Sequence, residues 1–207
     1  MYIPTAFKND DLADLHGLID QTRLAIIVTH DENGLHASHL PLLLRKDQGR
    51  HGTLYGHLAK ANSQWRSIEN GAQALVIFAG PDAYVSPSSY ATKAEHGKVV
   101  PTWNYVAVHA SGVAQVFTEK HRLLEVVKGL TERHERGRDN PWEVDDAPAD
   151  YIDKMLGAIV GFALPIEHLE GKRKLSQNRS AADIAGVRDG LAASVDFRDQ
   201  ALAHLMT

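Results

Sequence analysis

The chain has 207 residues, 43% of them hydrophobic, enough to bury a core of its own as one domain of slightly above-average size. Its 22 Lys+Arg against 26 Asp+Glu leave a net charge of -4, which disfavours a whole-surface electrostatic footprint for nucleic acid or anionic lipid. Cysteine is absent, so disulfides, thiolate metal sites and a thiol nucleophile are excluded, and a cytoplasmic location is expected. The N-terminal stretch has no basic region with an apolar one behind it, and no apolar run approaches about 18 residues, so neither secretion nor a membrane span is expected.

In chain order, Asp10 or Asp11 can cap a short helix carrying Leu12, Leu15, Leu18 and Ile19 at helical spacing. Leu24 to Thr29, the turn residues Asp31, Asn33 and Gly34, and Leu35 to Leu44 read as a hairpin. Thr53 to His57 reads as a short strand, and Asn62 or Ser63 can cap a helix to about Glu69. Gln73 to Gly80 is the clearest strand. The Ser-, Pro- and Gly-rich stretch from Ala83 to Pro101 then suggests a loop over a rim or a site.

The alternation from Asn104 to Phe117 predicts one long strand, followed by a helix from Thr118 to about Arg136 and another starting near Asp146 and Pro148. Ala158 to Leu169 predicts a strand whose Pro165 marks an edge or bulge, with GKRKLSQNR after it, and Ser180 with Asp183 starts a C-terminal helical segment over about 180–207. Six strands with interspersed helices, never in strict βαβ alternation, favour a mainly β, α+β antiparallel barrel in a single domain over 1–207.

No GxGxxG, GxxxxGK[ST] or GxSxG occurs, so Rossmann, P-loop and α/β-hydrolase chemistries lack their phosphate cradle or nucleophile turn. His36 and His39, three apart on a strand, point to opposite faces, which argues against a metal. Three clusters of polar and basic residues remain at strand ends. His57, Lys60 and Asn62 form the first; Ser86, Tyr90, Lys93, Thr102, Trp103 and Asn104 the second; Lys172, Lys174, Gln177, Asn178 and Arg179 the third. Each alone reads as a solvated rim. Together they supply what FMN needs: cations and hydroxyls for a phosphate dianion, amides for the ring edge, and aromatic walls.

The blocks GHLAKANSQWR, VIFAGPDAYVSPSSYATK, VPTWNYVAVHASG and IVGFALPIEHLEGKRKLSQNR resemble, in order and along nearly the whole chain, those of the PaiB family of FMN-binding negative transcriptional regulators. The resemblance implies a six-stranded split β-barrel of the FMN-binding type, with the flavin held at the interface of a homodimer. It sets Ser38, His39, His57, Lys60 and Asn62 near the ribityl chain and phosphate. Lys174, Gln177, Asn178 and Arg179 fall where a last-strand segment closes the flavin site. A phosphate gripped by Lys60, Lys174 and Arg179 is the expectation that follows. Ser89 and Arg173 stand where the family pattern has tryptophan, and Lys60 where it has arginine, so two aromatic surfaces and a bidentate contact are missing.

A regulatory role is implied by the family, yet the sequence shows no helix-turn-helix with a basic recognition helix. The Asp-rich C-terminal segment argues against direct DNA binding. The competing reading is an FMN-dependent oxidoreductase exchanging electrons between a nicotinamide and a small molecule or haem, with His57, His109 and Tyr90 as candidate proton donors or ligands.

Overall fold

The computed structural model describes residues 1–206. In chain order its elements are β1 (Lys8–Asn9), α1 (Leu12–Gln21), β2 (Ala25–Asp31), β3 (Gly34–Leu40), β4 (Leu43–Arg45), β5 (Thr53–Ala59), α2 (Gln64–Glu69) and β6 (Gln73–Val85). Then come α3 (Thr92–His96), β7 (Thr102–Val113), β8 (Gln115–Phe117), α4 (Lys120–Glu135), α5 (Ala149–Leu156), β9 (Ile159–Pro165), β10 (His168–Lys174), α6 (Ala181–Ala192) and α7 (Phe197–Ala203). The strands form a six-stranded sheet in the order β1-β10-β7-β6-β2-β3 and a four-stranded sheet in the order β4-β5-β9-β8. The α+β class and antiparallel pairing are those expected, with ten strands among the described residues rather than six. The expected strand from Asn104 to Phe117 is divided at Ala114, and the polar GKRK stretch, which lacks any apolar alternation, is the end of β10. No described helix is long and apolar enough to cross a membrane.

The chain clusters into two compact units, one of residues 12–78 and 109–169, the other of residues 1–11, 79–108 and 170–207, and β6 and β7 run through both. In the first unit, β2 and β3 form the expected hairpin, registered from Ala25↔Leu40 to Asp31↔Gly34. Gly34 takes φ 106°, a conformation that disfavours any side chain. β2 also pairs with β6, from Ile26↔Ile77 to Thr29↔Ala74, and turns Ala25, Ile27 and Thr29 inward. α4 buries Leu123, Val126 and Leu130, spaced three and four apart, in a cluster with Phe117, Leu156 and Ala163. Gly161 on β9 makes room for that layer, since a Cβ there would overlap the Phe117 ring and lie 2.9 Å from Leu123. Arg133, in the last turn of α4, donates to the carbonyls of Ile19, Asp20, Thr22 and Leu42, and so satisfies the C-terminal end of α1.

In the second unit, β1 pairs with β10 at Lys8↔Lys172 and Asn9↔Gly171. Lys172 is buried, with Nζ donating to the Tyr2 carbonyl at 3.0 Å and lying 4.9 Å from the Tyr105 ring centroid. The 86–96 segment, expected as loop, holds a 3-10 turn at Pro87–Ser89 and α3. It is clamped to α6: the buried Asp183 carboxylate accepts from Thr92 N at 3.0 Å and from Thr92 Oγ1 at 2.9 Å. Ser180 caps α6 by accepting from Asp183 N, as its position predicts.

Candidate functional site

In the first unit the turn after β5 places Asn62 so that its Oδ1 accepts from Gln64 N at 3.0 Å and starts α2. Asn62 Nδ2 donates to Ser38 Oγ at 2.9 Å, and Ser38 Oγ donates to Gln64 Oε1 at 2.6 Å. The buried Gln64 Nε2 in turn reaches the carbonyls of Ile27 and His36 and the Thr29 hydroxyl, each at 3.2 Å. Two of the expected residues, Ser38 and Asn62, are thus brought together. Their hub is Gln64, which sequence reasoning missed because a glutamine at the start of a helix looks like a solvated position.

The other expected residues of this unit stand apart from that network. Lys60 Nζ donates to the Gly157 carbonyl at 2.6 Å, at the C-terminal end of α5, where its charge also meets the helix dipole. His39 lies exposed on β3, on the strand face opposite Ser38. His57 lies on β5 opposite Gly161; its Nδ1 is buried with no partner among the described residues, and burial pushes its pKa below the usual histidine range.

In the second unit a cleft of about 150 Å³ is lined by Tyr90, Thr102, Asn104, Lys174, Asn178 and Arg179, all six expected from the sequence. Phe7 and Ser176 complete the lining. Lys174 Nζ is held at 2.5 Å from both Thr102 Oγ1 and the Trp103 carbonyl. Burial pushes its pKa below the usual lysine range; Tyr105 opposes that push, and the charges of Lys172 and Arg179 add to it. The Arg179 guanidinium lies 4.9 Å from the Tyr90 ring centroid. Asn104, fully buried, donates from Nδ2 to Ser176 Oγ at 2.9 Å. Two atoms of this lining have no hydrogen-bond partner among the described residues: the Tyr90 hydroxyl and Asn104 Oδ1.

Ser176 is the one non-glycine with positive φ among the described residues, at 65°, a left-handed conformation that costs about 1 kcal/mol or more. It sits two residues beyond Lys174, and its hydroxyl orients the Asn104 amide. Nothing in the run KLSQN marks the position of that turn. Three expected residues point elsewhere. Trp103 is half-exposed on the face of β7 opposite Asn104 and meets Tyr84 edge-on at 5.8 Å. Lys93 donates to Ser88 at 3.1 Å. Gln177 braces its own turn, accepting from Leu175 N and donating to the Arg173 carbonyl.

The family described as "Putative FMN-binding domain" matches residues 1–168. Over 206 residues the chain is 35% identical to "Protease synthase and sporulation protein PAI 2" of Bacillus subtilis, a match that covers 100% of this chain and 96% of that one. Among solved structures, the FAD and Heme binding protein from Mycobacterium smegmatis superposes with a TM-score of 0.63 at 19% identity, over 86% of this chain and 78% of that one. The flavocytochrome Anf3 from Azotobacter vinelandii gives 0.59 at 16% identity, over 86% and 75%. At such identities the structural likeness speaks for the fold alone, and the fold is of the split-barrel type.

Proposed function

The chain belongs to the PaiB family of FMN-binding domains, and from that membership we propose that it binds FMN at the interface of a homodimer. The observation that carries this reading is the Tyr90–Asn104–Lys174–Arg179 cleft, which holds two cations, a phenol and an amide without a carboxylate in its lining. These groups suit a flavin's polar and anionic parts. The cleft's volume of about 150 Å³ is well short of the roughly 300–1,000 Å³ of sites that enclose a cofactor, so further surface is needed to complete the site. A second copy is the natural supplier of that surface, and the half-exposed aromatic pair Tyr84 and Trp103 is the kind of surface that such an interface covers. When bound, FMN would supply one- and two-electron redox chemistry, while the chain's part is to bind and orient it.

Direct DNA recognition is not part of this proposal. Both arginines within α6 and α7 are paired, Arg188 with Asp189 at 3.0 Å and Arg198 with Asp196 at 2.9 Å, which leaves no basic stripe there to release counterions. A regulatory role would then run through the flavin or a further partner. Visible absorption during FMN addition, with light scattering on the same sample, tests the proposal. Stoichiometric uptake by a dimer is expected, and a flavin spectrum that the protein leaves unshifted, or a monomer with full occupancy, would overturn it.

A further inference from the structure

In the first unit, the second half of α4 and the segment 141–145 line a cavity of about 390 Å³, within the roughly 300–1,000 Å³ typical of sites for small ligands. Its apolar wall is made by Pro141, Val144 and the half-exposed indole of Trp142. That wall is fixed from both sides. Glu135 of α4 accepts from Trp142 N at 3.1 Å and pairs with Arg138 at 3.2 Å. Beyond the indole, Glu143 N donates to Asp146 Oδ2 at 2.9 Å, Asp146 N donates back to the Glu143 carbonyl at 3.0 Å, and Val144 is buried. Trp142 is thus held at the cavity while 45% of it stays exposed. A ring kept in water by pinned neighbours is an apolar surface already ordered for a ligand, so little entropy is lost on binding there.

Charge selects the ligand. Of the acids in the lining, Asp145 is neutralised by Lys128 at 2.7 Å and Glu135 by Arg138. Glu132 and Glu143 are left against Arg136, so the balance is negative beside an indole, whose face also attracts cations. A neutral ring gains from the apolar wall alone, and an acid is repelled by the carboxylates. We propose that this cavity binds a small organic ammonium ion, its flat apolar body against Trp142 and Pro141 and its charge shared between the indole and the carboxylates of Glu132 and Glu143. The cavity belongs to the first unit and the flavin cleft to the second, so the inference holds whether or not the chain takes up flavin.

Calorimetric titration of the full chain at neutral pH with benzylammonium, benzyl alcohol and benzoate, three rings of similar size and different charge, tests it. Benzylammonium should bind about fivefold more tightly than benzyl alcohol, as a cation–π contact with carboxylates beside it predicts, and benzoate should bind more weakly than both. Trp142→Ala removes the wall but keeps the main-chain bond to Glu135, and should weaken benzylammonium about fivefold or more with an unchanged circular dichroism spectrum. Because that change can also unsettle the segment around it, Glu132→Gln on the exposed side of α4 serves as a second probe. It should weaken benzylammonium about threefold and leave benzyl alcohol as it was. Benzyl alcohol binding as tightly as benzylammonium, benzoate binding more tightly than either, no heat from benzylammonium at millimolar concentration, or a Glu132→Gln chain whose affinities for cation and alcohol keep their ratio would overturn the proposal. FMN uptake is read separately by visible absorption, and its failure leaves the proposal standing.

Discussion

The two units each bury a polar cluster, and the clusters differ in how completely they are satisfied. Around Gln64, both ends of the amide, the Ser38 hydroxyl and the Asn62 side chain are all engaged within the chain. Around Asn104, one end of the amide is engaged, the other is not, and the neighbouring Tyr90 hydroxyl has no partner. Gln64 and Asn104 are both buried, so the desolvation cost of the two amides is shared and only the compensation differs. A satisfied network ties β2, β3 and α2 into one body. An unsatisfied one stores a demand that a ligand can meet, and the difference separates a stabilising cluster from a candidate binding site within one chain.

The largest effect follows from removing the hub. Gln64→Leu keeps the approximate volume but removes the amide's bonds to the Ile27 and His36 carbonyls and to the Ser38 and Thr29 hydroxyls. Each buried group left unpaired costs about 1–3 kcal/mol, and partial rearrangement brings the total to roughly 3 kcal/mol. For a chain of this size that is a fall of about 6–12 °C in Tm, measurable by calorimetry. A fall under about 2 °C would show that the network is ornamental and remove one side of the comparison.

The two clusters should also answer oppositely to loss of a hydroxyl. Ser38→Ala leaves Gln64 Oε1 and Asn62 Nδ2 without their partner and should cost about 1–2 kcal/mol in urea unfolding. Tyr90→Phe removes a hydroxyl that has no partner, so stability should be unchanged or rise by up to about 1 kcal/mol while ligand affinity falls. Equal destabilisation by the two changes would mean that the Tyr90 hydroxyl is satisfied and the cleft makes no demand.

Much of this was legible in the sequence. The hairpin announced itself by alternation and by Asn33-Gly34, and α4 by the spacing of Leu123 and Leu130. Six of the residues picked at strand ends do line one cleft. What the sequence hid has physical reasons. β10 carries Lys172, Arg173 and Lys174, whose long stems pack while their charged ends find carbonyls and rings, so no apolar period betrays the strand. Gln64 and Gln177 are the same residue type near the ends of blocks, yet one is a buried hub and the other bends back on its own turn. Only tertiary placement separates them. Lys60, expected to share a phosphate with Lys174 and Arg179, is also tied to a helix end by a carbonyl about a hundred residues away, a contact that no local pattern encodes.

The smallest expected effect concerns the edge of the satisfied cluster. Asp31, at the hairpin turn, accepts from Ser67 Oγ, from His36 Nε2 at 3.0 Å and from Asn33 N at 2.8 Å. The Ser67 bond first, then those of His36 and Asn33, hold its carboxyl down to about 2 against an ordinary value of 3.8. A carboxyl whose pKa is lower folded than unfolded contributes stability that is complete above the ordinary value and is lost as pH falls through the folded one. The contribution from Asp31 is therefore present at neutral pH and fades between about pH 4 and pH 2. Ser67→Ala removes the strongest of the three bonds and raises the folded value toward the ordinary one, so less is left to lose. Urea midpoints measured across that range should lie lower for the variant at pH 5 and converge on those of the unaltered chain by pH 2. Curves that stay parallel down to pH 2 would show that Ser67 acts on packing rather than on the charge of Asp31, and would move the hairpin turn out of the network that Gln64 organises.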